Sequence, residues 1–408
     1  MAELSLRDAQ TLPRWRRPEA LLLLMSMAVW FGLSLWMVLI NNFAVEIAAF
    51  DGSDIGWLQT VREIPGFLAF LVVFVIRVIP EQRLALISLV LLGGATMVTS
   101  QFPTFWGLLF TTFIGSLGFH YFETVNQSLQ LQWLSKDRAP QALGWIVAAA
   151  SVGSLIAYGG VALGGQFFEI GYHTFYYVGG GITVALAVVC WLFFPEFRAP
   201  IEQRKDMVLR RRYWLYYALV FMGGARRQIF MVFAAFMMVE KFGLQVHELA
   251  WLFVINYVAN MIFAPLVGRF IQGYGERLAM ILEYIGLIGV FSLYAGVYLY
   301  DWSWQVAAIL YVVDHLFFAM AFAQKTYFQK IADPADQAPT AAVAFTINHI
   351  AAVFLPAALG YLWLVEPMAV FLLAVAMSFV SLVLAFLVPR HPSDGHETVL
   401  SGNAVPAE

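Results

Sequence analysis

A polytopic all-α membrane protein is the fold class this sequence predicts, and three observations predict it. Of 408 residues, 61% are hydrophobic and only 12% charged, against about 25% charged in an ordinary soluble domain. Mean hydropathy is +0.76. Apolar runs of about 20 residues recur along the whole chain, each long enough to cross a hydrocarbon core of about 30 Å. The basic residues fall on alternate connections, as the positive-inside rule requires of a multi-pass helical protein. A transmembrane β-barrel would instead show alternating segments of about ten residues.

Twelve spans follow, at 20–43, 55–77, 84–101, 104–133, 141–165, 172–194, 213–239, 248–270, 278–300, 303–330, 339–364 and 367–388. The first is full span length behind Arg7, Arg14, Arg16 and Arg17, which reads as an uncleaved helix with its N-terminus inside. The second starts after Asp51 and Asp54 and carries Arg62-Glu63 just before Pro65-Gly66. The third begins behind Pro80 and Arg83, the fourth behind Pro103 and the fifth behind Pro140. The fifth is rich in glycine, at Gly144, Gly153, Gly159, Gly160, Gly164 and Gly165, which implies close helix packing. The sixth holds Cys190, the only cysteine, so no internal disulfide framework exists. The seventh contains Gly223-Gly224-Ala225-Arg226-Arg227-Gln228, the eighth Asn256 and Asn260, the tenth Asp314-His315, and the eleventh Asn348-His349.

The stretch from Pro195 to Arg212 is polar and ends in three arginines. It divides the spans six and six. The expected organisation is a six-helix bundle over 1–194, a cytoplasmic linker over 195–212, a second six-helix bundle over 213–390 and a disordered cytoplasmic tail over 391–408. With both termini inside, the inner segments hold 19 of the 23 basic residues, Lys136, Arg138, Arg204 and Lys205 among them. The outer loops carry acids such as Glu46, Asp51, Glu169, Glu240 and Asp301. That asymmetry points to the cell (inner or plasma) membrane with both termini cytoplasmic.

This pattern resembles the major facilitator superfamily over nearly the whole chain: twelve spans, a six-plus-six division, a basic central loop and both termini inside. The loop between the family's second and third helices has a Gly-x-Leu-x-Asp-Arg-x-Gly-Arg-Arg pattern. Gly268, Gly275 and Arg277 match it in the second half, with Gln272 in the acidic position, and the first half keeps the basic residues Arg77 and Arg83. Gly144 and Gly153 have the first spacing of the fifth-helix signature of proton-driven exporters, but Ala157-Tyr158 replace its Gly-Pro pair. The resemblance implies two pseudo-symmetric bundles, a central cavity lined by the first, fourth, seventh and tenth helices, and secondary active transport.

The residues point the same way on their own. An arginine at the centre of a membrane helix costs roughly 2.5–3.5 kcal/mol, and charge there is tolerated where it meets a cavity or a partner. Adjacent helical residues point about 100° apart, so Arg226 and Arg227 cannot share one partner. One meets substrate while the other pairs with an acid, or both are structural and neutralised by Glu123 and Asp314. Guanidinium binds carboxylate and phosphate bidentately, which favours an anionic solute. His120, Glu123, Gln127 and Gln130 form one polar stripe on the fourth span. Lys325, eleven residues after Asp314, is expected on the aspartate's face.

The candidate substrate-binding residues are therefore Arg226, Arg227, Gln228, Gln127, Asn256, Asn260 and Asn348. The candidate proton-coupling residues are Glu123, Asp314, His120 and His315, set against fixed pairs such as His120 with Glu123. Arg62 and Glu63 form a gating or structural ion pair, and Glu283 is expected to pair with bases of the inner loops. The expected function is proton-coupled transport of a small anion by alternating access. An exporter of amphiphilic drugs or metabolites and a non-transporting receptor or scaffold are the alternatives.

No Gly-x-x-x-x-Gly-Lys-Ser/Thr loop is present and no cysteine–histidine cluster has metal spacing. The loops are too short for a catalytic domain. The expectation is no enzyme activity, no cofactor, no metal, no nucleic acid and no obligate protein partner. The partners are a small-molecule substrate, protons and the lipid bilayer.

Overall fold

A computed structural model describes residues 3–134, 139–198, 209–333 and 337–401. Lys136 and Arg138, most of the expected linker including Arg204 and Lys205, and the end of the tail at 402–408 lie outside the described residues. Every predicted span is helical. They are α1 (Pro18–Glu46), α2 (Gly52–Phe67), α3 (Glu81–Val98), α4 (Phe105–Trp133), α5 (Ala139–Phe168), α6 (Tyr172–Phe193), α7 (Trp214–Gln228), α8 (Val246–Tyr274), α9 (Glu276–Leu299), α10 (Trp304–Phe318), α11 (Gln337–Val365) and α12 (Pro367–Phe386). Among the described residues, ten spans are long and apolar enough to cross a membrane by length and composition alone; those containing α2 and α4 are not among them.

Three spans are not continuous α-helix. α2 tightens into a 3₁₀ turn at Leu68–Leu71, after the internal Pro65, and resumes at Val72–Val75. α10 has a 3₁₀ turn at Ala319–Ala321 and resumes at Phe322–Ile331. α7 widens into a π-helix at Ile229–Ala234, directly after Arg226-Arg227-Gln228, then continues as Ala235–Glu240. π-turns are rare and occur mostly at functional sites.

The chain packs as two compact units. Unit 1 is Met1–Phe50, Val61–Arg204 and Leu244–Val254; unit 2 is Asp51–Thr60, Lys205–Gly243 and Ile255–Glu408. In unit 1, α1 packs on α5 and α6, and α3 on α4 and α6. In unit 2 the same pairs recur six helices later: α7 on α11 and α12, and α9 on α10 and α12. Glycines set the closest approaches. A Cβ on Gly153 would strike the α1 backbone at Met27, and one on Gly180 would strike the α3 backbone at Gly93 and Met97. The reading of the fifth-helix glycines as packing residues therefore holds for Gly153, and for Gly164 against Phe175. Among the described residues, nothing lies within 4 Å of a Cβ built on Gly144, Gly159 or Gly160. Gly275, at φ +86°, separates α8 from α9 in a conformation that glycine alone adopts readily.

The terminal segments are tied down. Glu3–Ser5 pairs in parallel with Glu196–Arg198 just past α6. Arg83, on the first turn of α3, bonds Glu196 at 2.6 Å. The segment 391–401, expected to be disordered, is docked within unit 2. Arg212 bonds Asp394 at 2.6 Å, Tyr327 donates to the Glu397 carbonyl at 2.5 Å, and Val399 N–H donates to the Leu387 carbonyl at 2.9 Å. These bonds offset the ordering cost that was expected to leave the tail free. In unit 2 the connections after α7 and α9 are joined by Lys241, which bonds Asp301 at 2.8 Å and keeps that carboxyl below its usual range.

Candidate functional site

Helix α7 carries the costliest residues of the chain and divides them between two neighbours. Arg226, buried, reaches α9 and α12. Its Nη2 donates to Glu283 Oε1 at 2.9 Å, its Nη1 to Ser381 Oγ at 3.2 Å, and its guanidinium lies 4.9 Å from the Tyr284 ring centroid. Glu283 is wholly buried, so this is an ion pair removed from solvent on both sides. Arg227 turns the other way. Half-buried, it donates from Nη2 to Asn348 Oδ1 on α11 at 2.8 Å. The 100° step between neighbouring residues is what separates the two guanidiniums.

Glu283 overturns two expectations. It does not pair with inner-loop bases, and the acid paired with Arg226 is neither Glu123 nor Asp314. Glu283 sits two turns into α9, and α9 packs beside α12, where α7 also packs, so its carboxylate meets Arg226 rather than the loops. A lone acid seven residues inside an apolar helix is itself the signal that locates it.

Asp314 lies buried on α10, within electrostatic reach of both Arg226 and Glu283. A cavity of about 10 Å³ opens beside it, about the space of one water. Arg226, Arg227 and Asp314 line it together with Phe230, Leu287 and Phe291. His315 is half-buried, its ring 6.1 Å from that of Phe230. Lys325 does not share the Asp314 environment: the 3₁₀ turn between them breaks the helical phase, and Lys325 is exposed while Gln324 is buried and bonds the Tyr284 hydroxyl at 3.0 Å.

The remaining candidates of unit 2 lie on the surrounding helices. Asn348 packs its amide against Gly224, where a Cβ would stand 2.8 Å from Nδ2. Gln228 is buried on α7 with Oε1 lacking a hydrogen bond among the described residues. Asn256 and Asn260 on α8 likewise each have an amide oxygen without one. The residues that sequence reasoning missed are Ser381, Tyr284, Phe230, Leu287 and Phe291. Each is an ordinary residue of an apolar helix, and only tertiary packing brings Phe230, Leu287 and Phe291 to the cavity and Ser381 and Tyr284 to Arg226.

Unit 1 is described by itself. His120 is buried on α4 with a nitrogen within 4.8 Å of a carboxylate oxygen of Glu63 on α2. Glu63 in turn bonds Arg62 at 2.6 Å, and the Arg62 carbonyl accepts from Ser116. Glu123 is half-buried and Gln127 exposed.

The comparisons with known proteins agree with this architecture. The family model described as Major Facilitator Superfamily matches residues 20–225 and again residues 213–406. The structure is similar to the nucleoside transporter NupG, as a D323A mutant, at TM-score 0.74 and 15% identity, covering 90% of this chain and 99% of that one. A second NupG structure gives TM-score 0.71 and 16% identity over 90% and 97% of the two chains. A bacterial homologue of the human lysosomal transporter Spinster, inward-facing and occupied, gives TM-score 0.66 and 13% identity over 90% and 95%. At such identities the likeness is one of fold. No curated protein matches the sequence. Twelve helices in two six-helix bundles of repeated pairing, matched by the family in both halves, make this chain a multi-pass membrane protein of the Major Facilitator Superfamily.

Proposed function

We propose that this protein is a proton-coupled secondary transporter that moves a small organic anion across the cell membrane by alternating access, with both termini cytoplasmic. The observation that carries this reading is Arg227. A permanently charged guanidinium lies half-buried in the last turn of α7, near the middle of the span 211–240, lines a cavity and bonds the neutral amide of Asn348. Such a group binds a carboxylate or phosphate through paired N–H donors. Arg226, by contrast, is held by Glu283 and serves as scaffold. Phe230, Leu287 and Phe291 beside the arginines favour a substrate with an apolar or aromatic body attached to its acid. Asp314 shares that cavity and is the leading acid for proton coupling; Glu123, His120 and His315 remain candidates to be tested beside it.

Uptake into proteoliposomes with an imposed pH gradient tests the reading, with a panel of radiolabelled organic anions and neutral nucleosides. Arg227→Ala is expected to reduce anion uptake by about tenfold to a hundredfold, the loss typical of a charge-assisted contact. Asp314→Asn is expected to abolish accumulation driven by the gradient while leaving exchange measurable. Uptake of neutral nucleosides alone, unchanged by Arg227→Ala, would overturn the anionic class. No flux of any panel member would overturn transport.

A further inference from the structure

Helix α11 runs through a proline, and a residue of another helix covers the flaw. Pro356 lies inside α11. It has no N–H, so the Ala352 carbonyl one turn earlier loses its i→i−4 donor, and the ring crowds that carbonyl, the usual cause of a kink. The next rung of the ladder joins Val353 to Ala357. Thr60, buried in the first half of α2, bonds both ends of it. Its hydroxyl donates to the Val353 carbonyl at 2.8 Å and accepts from the Ala357 N–H at 3.2 Å. Neighbouring Ser and Thr side chains are among the few groups that satisfy backbone freed by proline inside a membrane. Residues 51–60 belong to unit 2, as α11 does.

The contact is close. A Cβ on Gly56 would strike the Pro356 carbonyl, and one on Gly360 the Gly52 carbonyl, so α2 and α11 meet backbone to backbone along this stretch. The part of α11 after the proline is fixed in the core of unit 2. Trp363 is 1% exposed, donates from Nε1 to Glu240 Oε2 at 3.2 Å and packs on Phe233, Phe236 and Phe371. The part before the proline carries Asn348, whose Oδ1 accepts from Arg227 Nη2 at 2.8 Å. Between the anchored part and the part that meets Arg227 stand the missing rung and the rung that Thr60 bonds.

We propose that Thr60 is a positioning residue for the candidate site: its hydroxyl pins α11 at Pro356 and so sets Asn348 against Arg227. The proposal deepens the proposed function and rests on the reading of Arg227 as the anchor of the substrate. Without the hydroxyl, the rung from Val353 to Ala357 closes on itself or takes up water, and the angle between the two parts of α11 changes. Asn348 lies eight residues before Pro356, a lever of about 12 Å, so a change of about 10° moves it by about 2 Å. That is enough to lose a hydrogen bond of 2.8 Å.

The test reads the full-length protein in two ways. One is uptake of the organic-anion panel, with KM and maximal rate resolved. The other is the distance between nitroxide labels at Ile350 and Leu364, exposed positions on either side of Pro356, in a Cys190→Ser background. Thr60→Val keeps the shape and removes the hydroxyl. It is expected to shift the label distance by about 2 Å and to raise KM by about twofold to tenfold, the loss of one hydrogen bond. Thr60→Ser is expected to keep both at wild-type values. Trp57→Phe removes another bond between the same helices, to the Tyr361 hydroxyl at 3.1 Å beyond the proline, and is expected to change neither. Pro356→Ala restores the missing N–H, so adding Thr60→Val to it should have no further effect. Where Thr60→Val fails to fold, Pro356→Ala against wild type carries the test. An unchanged distance, an unchanged KM despite a shifted distance, or equal damage from Thr60→Ser and Thr60→Val overturns the proposal. If uptake depends on Arg227 while Thr60→Val is neutral, the transport reading stands without the pin. If the distance shifts but the wild type moves no anion, the pin of α11 stands and the transport reading falls.

Discussion

Helices α1 and α7 occupy equivalent places in the two units, yet they are built differently. Each packs on the fifth and sixth helices of its own unit. α1 runs unbroken for 29 residues and is apolar between its terminal acids Glu19 and Glu46 apart from Ser26, Ser34 and Asn41-Asn42. Its central polar contact is a neutral one, from Ser34 to Ser154 on α5 at 2.8 Å. α7 carries two arginines in its last turn and then changes to a π-helix. The scaffold is repeated but the chemistry is not. A scaffold position accepts any residue that packs, whereas a buried guanidinium demands a carboxylate from a neighbouring helix and a locally altered backbone. Unit 2 holds the charge, and unit 1 offers a half-buried or paired set of Glu63, His120 and Glu123.

The largest break in that comparison comes from removing one partner of the buried pair. Glu283→Ala leaves Arg226 charged and unpaired, a loss expected to cost about 3–5 kcal/mol. Arg226→Met together with Glu283→Leu removes both charges, and is expected to restore stability to wild type or above it. In unit 1 the matching loss, Ser34→Ala, leaves one neutral hydroxyl unbonded at about 1–3 kcal/mol. Thermal unfolding in detergent, read for the single and paired variants, checks the order. A double variant no more stable than Glu283→Ala would mean that the pair is not the source of the cost.

Close packing gives the next effect, and here the fifth-helix glycines separate. Gly153→Val forces a side chain into the α1 backbone at Met27, with an expected cost of about 1–3 kcal/mol from overpacking. Gly160→Ala meets nothing within 4 Å and is expected to be neutral or to gain up to about 1 kcal/mol in helix propensity. In unit 2 the tight position has moved to α7, at Gly224 against Asn348, so Gly224→Val should disturb the Arg227–Asn348 contact as well as the packing. Comparing uptake with stability for Gly153→Val and Gly224→Val separates these effects: the first is expected to lower stability alone, the second to lower both.

These contrasts also show what the chain discloses before it folds. Twelve spans and the six-plus-six division are legible because the hydrocarbon core imposes length and apolarity on each helix separately. Arg226, Arg227 and Asp314 are legible as costs for the same reason. What the sequence does not disclose is pairing. Glu283 sits about two turns from the start of its helix, where an acid can meet loop bases, and only the packing of α9 beside α12 turns it to Arg226. Phase errors have a similar origin. Lys325 matches the face of Asp314 in an ideal helix, but the 3₁₀ turn at Ala319–Ala321 shifts everything after it. Breaks of helical type leave no period in the sequence to read.

The smallest expected effect lies at the starts of α3 and α9, where the two units answer one need in two ways. α3 and α9 each begin with a glutamate, favourable beside the positive end of the helix dipole. Glu81 accepts from Ser128 at 2.7 Å and Gln132 at 2.5 Å, both neutral donors on α4. Glu276 is met instead by Lys330, beyond α10, at 2.7 Å, with Lys330 about half exposed. Lys330→Gln gives unit 2 the neutral arrangement of unit 1. Because one partner is open to solvent, the change is expected to cost no more than about 1 kcal/mol, and less in high salt. Thermal unfolding of Lys330→Gln and wild type at low salt and at about 1 M salt reads this difference. A cost that persists undiminished at high salt would show that Lys330 holds the start of α9 to the segment beyond α10 by packing of its aliphatic stem rather than by charge, and that the two helix starts differ in more than their donors.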